Sequence, residues 1–181
     1  MNTRFNTEAK WYVVYTYPNS EKKIHDELLR RAIYSFLPTC KVVRQWSDRK
    51  KHLDVPLFPN YIFVKIHLEA TWQVLALTGV VRFLTLDGQL IIVPNAEIDR
   101  VRMLTANNQD VCNANALDKE AYMDGERVRV IQGPLQGIEG SLVSKKGTSR
   151  LYVELYAINR LISVEMPADY VERLTEPMLR S

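Results

Sequence analysis

The chain has 181 residues, 46% of them hydrophobic and 25% charged, enough to bury a sizeable core and to form one large or two small domains. No run of about 18 apolar residues occurs, so no membrane span is expected, and residues 1–6 lack the apolar centre of a signal peptide, which points to the cytoplasm. Net charge is only +3, but it is segregated: residues 1–105 carry 15 Lys and Arg against 10 Asp and Glu, whereas residues 123–181 carry 8 of each. A segregated basic excess points to a polyanion more than a diffuse one does.

Residues 11–17, Trp-Tyr-Val-Val-Tyr-Thr-Tyr, are aromatic and β-branched and end at Pro18 and Asn19, so they predict a buried strand. A helix follows. Asn19 or Ser20 can cap it, Glu21 suits the positive end of its dipole, and Ile24, Leu28, Leu29, Ala32 and Ile33 form its apolar stripe. Lys23, Glu27, Arg30 and Arg31 share the opposite face, which is either an ordinary solvated surface or a contact for phosphates. Residues 41–46 predict a strand ending at Trp46, and a basic turn over residues 47–52 leads into residues 53–56, a hairpin or loop that projects from the sheet.

Residues 56–65, Pro-Leu-Phe-Pro-Asn-Tyr-Ile-Phe-Val-Lys, bracket an aromatic with two prolines and then run on as a strand with two apolar faces. Ile62, Val64 and Ile66 lie on one side; Tyr61, Phe63 and Lys65 lie on the other. One face is served by the chain's own helices. The second needs another cover, either the later helix with Ile98, Val101 and Leu104 or a partner.

Residues 69–77 have helical spacing and stop at Gly79. Residues 80–86 give a strand, Asp87-Gly88 signals a hairpin turn into residues 90–93, and Pro94 opens the helix of Ile98, Val101, Met103 and Leu104. This order predicts an α+β fold, a largely antiparallel sheet covered by helices. Residues 106–122 are polar and aperiodic, a linker longer than most connections inside one domain. Beyond it lie short strands near residues 126–131, 140–144, 150–156, 161–164 and 170–171, broken by Gly133-Pro134, Lys146-Gly147 and residues 157–159, and Gly137 and Gly140 suit bends or positive φ. Five such strands close most economically into a small barrel.

Neither an enzyme nor a cofactor is expected. His25, His52 and His67 fall in no metal-ligand spacing, and no nucleophile elbow, phosphate-binding glycine loop or buried carboxylate pair occurs. Cys40 and Cys112 fit small buried hydrophobes better than a disulfide or zinc site.

Residues 125–140, Gly-Glu-Arg-Val-Arg-Val-Ile-Gln-Gly-Pro-Leu-Gln-Gly-Ile-Glu-Gly, resemble a KOW motif, found in SH3-like barrels of transcription factors and ribosomal proteins. Residues 11–15, 56–64 and 79–83 resemble the N-terminal domain of the NusG family of transcription elongation factors, and the match at 56–64 is closest to its specialised RfaH-like and UpxY-like paralogues. The resemblance implies an N-terminal domain over residues 9–105, a linker over 106–122 and an SH3-like barrel over 123–175. It implies docking on the clamp-helix coiled coil of the RNA polymerase largest subunit through Tyr15, Phe58, Pro59, Tyr61 and Phe63, with Ile98 and Val101 as a wall. A second polymerase contact falls at Thr71 and Trp72. Contact with the non-template DNA strand falls to Tyr17, Lys23, Arg30 and Arg31, and the barrel would meet ribosomal protein S10 or Rho. The expected activity is antitermination on long operons such as those for capsular polysaccharide, by a cytoplasmic monomer without membrane contact. The alternatives are a general elongation factor and a ribosome-associated RNA-binding protein. Phe58→Ala is expected to spare the fold and abolish polymerase binding.

Overall fold

The computed structural model describes residues 8–45, 50–107, 111–113, 123, 125–145 and 147–174. Its elements are β1 (Lys10–Thr16), α1 (Glu21–Arg30), β2 (Tyr34–Phe36), β3 (Thr39–Gln45), β4 (Lys50–Pro56), β5 (Tyr61–Ile66), α2 (Thr71–Leu75), β6 (Val80–Phe83), β7 (Thr85–Leu86), β8 (Gln89–Leu90), β9 (Ile92–Val93) and α3 (Asn95–Asn107). They continue with β10 (Cys112–Asn113), β11 (Glu126–Val130), β12 (Glu139–Lys145), β13 (Thr148–Leu155), β14 (Arg160–Glu165) and β15 (Val171–Arg173). The fold is mixed α+β with antiparallel sheets, as expected. By contacts it divides into two units, Met1–Thr39 with Val55–Ile98 and Cys40–Asp54 with Asp99–Ser181. Among the described residues no helix is long and apolar enough to cross a membrane.

In the first unit β1 is central. It pairs antiparallel with β5 along one edge and with β6 and β9 along the other, and β2 continues the sheet beyond β5. The strand period then sorts the side chains. Tyr12 and Val14 of β1 and Ile62, Val64 and Ile66 of β5 join Ile24 and Leu28 of α1, Val74, Leu77 and Phe83 in one buried cluster. Each such aliphatic side chain taken from water stabilises by roughly 1.5–3 kcal/mol. Burial in this cluster, with the charge of Glu69 adding, pushes the Tyr12 phenol above its ordinary value.

Helix α1 stops at Arg30, short of the expected Ala32 and Ile33. The Ile33 N–H reaches back to the Leu28 carbonyl at 2.9 Å and the Ala32 N–H to Leu29 at 3.0 Å, while Ala32 takes a left-handed φ of 58°. This is a Schellman ending, with Ile33 and Leu28 in apolar contact through the shared core. It frees the next residues to form β2, a strand absent from the sequence-based expectation, which the His25 Nδ1 to Ser35 Oγ hydrogen bond at 2.8 Å ties back to α1. Burial holds the His25 ring below its ordinary pKa. The expected hairpin turn is present: Asp87 and Gly88 both have positive φ, 50° and 77°, as a type I′ turn requires, and β7 pairs with β8 around it.

In the second unit β3 pairs with β4, and a six-stranded sheet runs in the order β10, β14, β13, β12, β11, β15. The five expected strands are all there. β10, two residues inside the stretch expected to be a linker, pairs with β14; Trp46 and residues 47–49 of the expected basic turn lie outside the described residues. Gly133 and Gly137 have positive φ. Gly140 does not. It sits opposite Val128 in the ladder, and a Cβ there would be driven into the carbonyl oxygen of Tyr152 on β13. Close strand approach, not turn geometry, demands that glycine.

Two substitutions should therefore move stability in opposite directions. Ala32→Gly removes left-handed strain from a non-glycine residue and should stabilise the chain by about 0.5–1 kcal/mol in denaturant unfolding. Gly140→Ala should destabilise by about 3 kcal/mol or more, because the obstruction is backbone and cannot rotate away, and it should abolish the near-ultraviolet signal of Tyr152.

Candidate functional site

The second face of the first unit's sheet carries the aromatics. Cross-strand register sets them in rows: Tyr15 lies between Tyr61 and Arg82, Val13 pairs with Phe63, which pairs with Phe36, and Trp11 pairs with Lys65, which pairs with Tyr34. Tyr15 and Tyr61 meet edge to face with centroids 5.6 Å apart. The Arg82 guanidinium stands 6.0 Å from the Tyr15 centroid, within cation–π range. Further along, Phe63 touches Phe58 at 6.2 Å and Phe36 at 6.1 Å, and Trp11 meets Tyr34 at 5.3 Å.

The expected docking residues thus divide by exposure. Tyr15 and Tyr61 are half-buried, and Pro59 and Arg82 are exposed. Phe58 and Phe63 are 1% and 0% exposed, and Ile98 and Val101, one turn apart on α3, are equally buried. The structure brings Tyr15 to Tyr61 and Phe58 to Phe63. The expectation that Phe58→Ala spares the fold needs correction. Its ring is 1% exposed and packs against Phe63, and a fully buried Phe cannot be truncated without leaving a cavity.

The turn leading into β5 explains how Tyr61 is aimed. Asn60 has φ 71°, a left-handed conformation that Asn tolerates better than most side chains. Its carbonyl accepts the Thr16 N–H at 2.8 Å, its side-chain amide donates to the Thr16 carbonyl at 3.2 Å, and its own N–H donates to the Glu21 carboxylate at 2.8 Å. The Tyr61 N–H closes the turn on the Phe58 carbonyl. On the other side of β1, a bulge between Tyr15 and Thr16 shifts the register with β6, and the Tyr17 N–H bonds to the Gly79 carbonyl. Gly79 is held close to α1, where a Cβ would sit 3.1 Å from Ile24 Cδ1.

Around α1, Tyr17 is 61% exposed and Lys23 is exposed. Arg30 and Arg31 are not bare cations. Both ion-pair with Glu27, at 2.7 and 2.8 Å, and the bond from Arg31 leads the causes that hold the Glu27 carboxyl below its ordinary range. At the start of α2 the Thr71 hydroxyl donates to the Leu68 carbonyl at 2.9 Å, while Trp72 is 66% exposed between exposed Leu68 and Leu75.

Arg82 is the residue that sequence reasoning missed. It lies in the segment 79–83, but its place beside Tyr15 depends on the β1–β6 register, a pairing of residues nearly seventy positions apart that no local pattern encodes.

A family model described as "Transcription termination factor nusG" matches residues 9–102. The chain is 27% identical over 182 residues to the transcription termination/antitermination protein NusG of Borreliella burgdorferi, covering 91% of this chain and 98% of that one. The same shares and the same identity hold over 179 residues for the protein of that name from Pseudomonas aeruginosa. Among solved structures, "Domain interaction in Thermotoga maritima NusG" superposes with a TM-score of 0.56 at 20% identity, covering 93% of this chain and 98% of the other, a likeness of fold.

Phe58→Ala should cost about 3–5 kcal/mol of stability. Its unfolding midpoint in denaturant should fall well below that of the wild type, so any loss of function in that variant should follow loss of folded protein.

Proposed function

The chain belongs to the NusG family, and on that premise we propose that it docks on the clamp-helix coiled coil of the RNA polymerase largest subunit through the row formed by half-buried Tyr15 and Tyr61 and exposed Arg82. NusG-family proteins are transcription factors, not enzymes, and no catalytic step enters this reading. The carrying observation is that row. Two tyrosines in mutual contact and an exposed guanidinium are backed by buried Phe58 and Phe63, which gives a partner helix rigid aromatic anchors with polar tips, the type of group that dominates interface energies.

Once docked, the factor suppresses pausing and termination from the cytoplasmic transcription complex. Tyr17 offers a stacking surface for an exposed base of the non-template strand, Lys23 a phosphate contact, and Arg30 and Arg31 further cations after leaving Glu27. Trp72, with Thr71 beside it, supplies a second contact with polymerase. Residues 9–105 make up the docking domain, and the barrel over 123–175 meets ribosomal protein S10 or Rho. The likeness of residues 56–64 to RfaH-like and UpxY-like proteins favours action on a few long operons, such as those for capsular polysaccharide. Transcript sequencing after deletion of the gene separates this from a general elongation factor: distal reads should fall in one or a few operons, not genome-wide.

Tyr61→Ala should weaken binding of the full chain to RNA polymerase at least tenfold, about 1.4 kcal/mol or more, with its unfolding still cooperative. Wild-type affinity in that variant would remove the row from the interface.

A further inference from the structure

We propose that Glu21 is a positioning residue for the docking row, a role that rests on the reading above. Glu21 opens α1, where an acidic side chain ordinarily lies in water. Here it is only 5% exposed. Carboxylates are almost never buried without a partner, and the partner is not a cation. It is the backbone N–H of Asn60, thirty-nine residues away, at 2.8 Å. The bond needs an acceptor with the reach of a Glu side chain, and the first turn of α1 is a place where an acidic residue suits the helix dipole.

The location gives the bond its consequence. Asn60 is the left-handed residue immediately before Tyr61, and its carbonyl and side chain both bond to Thr16, the residue immediately after Tyr15. The carboxylate therefore holds Asn60, the residue that hydrogen-bonds the start of β5 to the end of β1, from which the two tyrosine rings project. A general need to satisfy a buried N–H would be met by any nearby acceptor. A side chain on the first turn of α1 instead ties the row to the helix that packs on the opposite face of the same sheet, since Ile24 and Leu28 of α1 sit in that core. Glu21 touches no partner in this scheme; it acts through Asn60.

The test pairs two conservative variants of the full chain. Glu21→Gln keeps the length of the side chain and a carbonyl acceptor but loses the charge. Glu21→Asp keeps the charge but is one methylene too short to reach Asn60. Affinity for RNA polymerase is measured at a temperature where every variant is fully folded, so that a loss of stability alone would leave it unchanged. The amide resonance of Asn60 and the ring resonances of Tyr15 and Tyr61 are followed by NMR. Glu21→Gln should bind within about twofold of wild type, whereas Glu21→Asp should bind several-fold more weakly and shift the Asn60 amide and both tyrosine rings. Wild-type affinity in Glu21→Asp, alongside a shifted Asn60 amide, overturns the positioning role while leaving the docking row intact. A loss in Glu21→Gln with the Asn60 amide unshifted also overturns it, since the side chain would then act otherwise than through its bond to Asn60. Should Tyr61→Ala bind as wild type in the same assay, the docking row and the role of Glu21 fall together.

Discussion

Everything placed on the first sheet depends on β1 being paired along both of its edges. Because side chains alternate with a period of two, a slip of one residue against β5 would exchange Val13 and Tyr15 for Tyr12 and Val14, moving the aromatic row into the helix-packed core and the core residues onto the second face. The register is protected where it matters most. At the end carrying the tyrosines, Thr16 and Asn60 exchange backbone and side-chain hydrogen bonds, and the bulge beyond Tyr15 lets β6 follow a different register without disturbing β5. Apolar burial supplies most of the energy of this unit. Polar bonds at one strand end decide which side chains receive it.

Local pattern made much of this legible. The two-sided character of residues 61–66, the Asp87-Gly88 turn and five strands of the six-stranded sheet all follow from side-chain alternation and turn chemistry, which are encoded within a few residues. The features that escaped are those settled by distant groups. The early stop of α1 is a clear case: Ala32 and Ile33 continue the helical period, but Ile33 gains more by closing on Leu28 and entering the core than by extending the helix. β2 was hidden for the same reason, being three residues long and defined by its pairing with β5. Gly140 resembles a turn glycine in sequence and is a packing glycine in space. At the candidate site, strand alternation alone set Tyr61 and Phe63 on the second face and the family resemblance supplied Tyr15, whereas Arg82 and Glu21 could not be picked, since each acquires its place through a contact that spans much of the unit.

Charge is used differently in the second unit. Arg129 lies directly opposite Glu139 on β12 and Glu172 on β15 and bonds to the first at 2.7 Å; Arg150 lies opposite Glu165, and Arg173 bonds to Glu126 at 2.7 Å. Such exposed pairs add little to stability one by one. Opposite charges facing each other across a ladder do penalise shifted pairings, in which like charges would meet. The balanced acidic and basic content of the barrel sequence is thus partly a record of strand alignment.

Glu27 changes the charge that the first helix presents. With one carboxylate bridging Arg30 and Arg31, an incoming anion finds both guanidinium groups already engaged by an oxyanion of the chain's own. Association at that spot is a ligand exchange, not a simple capture. Pairs this exposed hold little net energy, so the bridge lowers the positive potential of the helix face without locking either guanidinium in place.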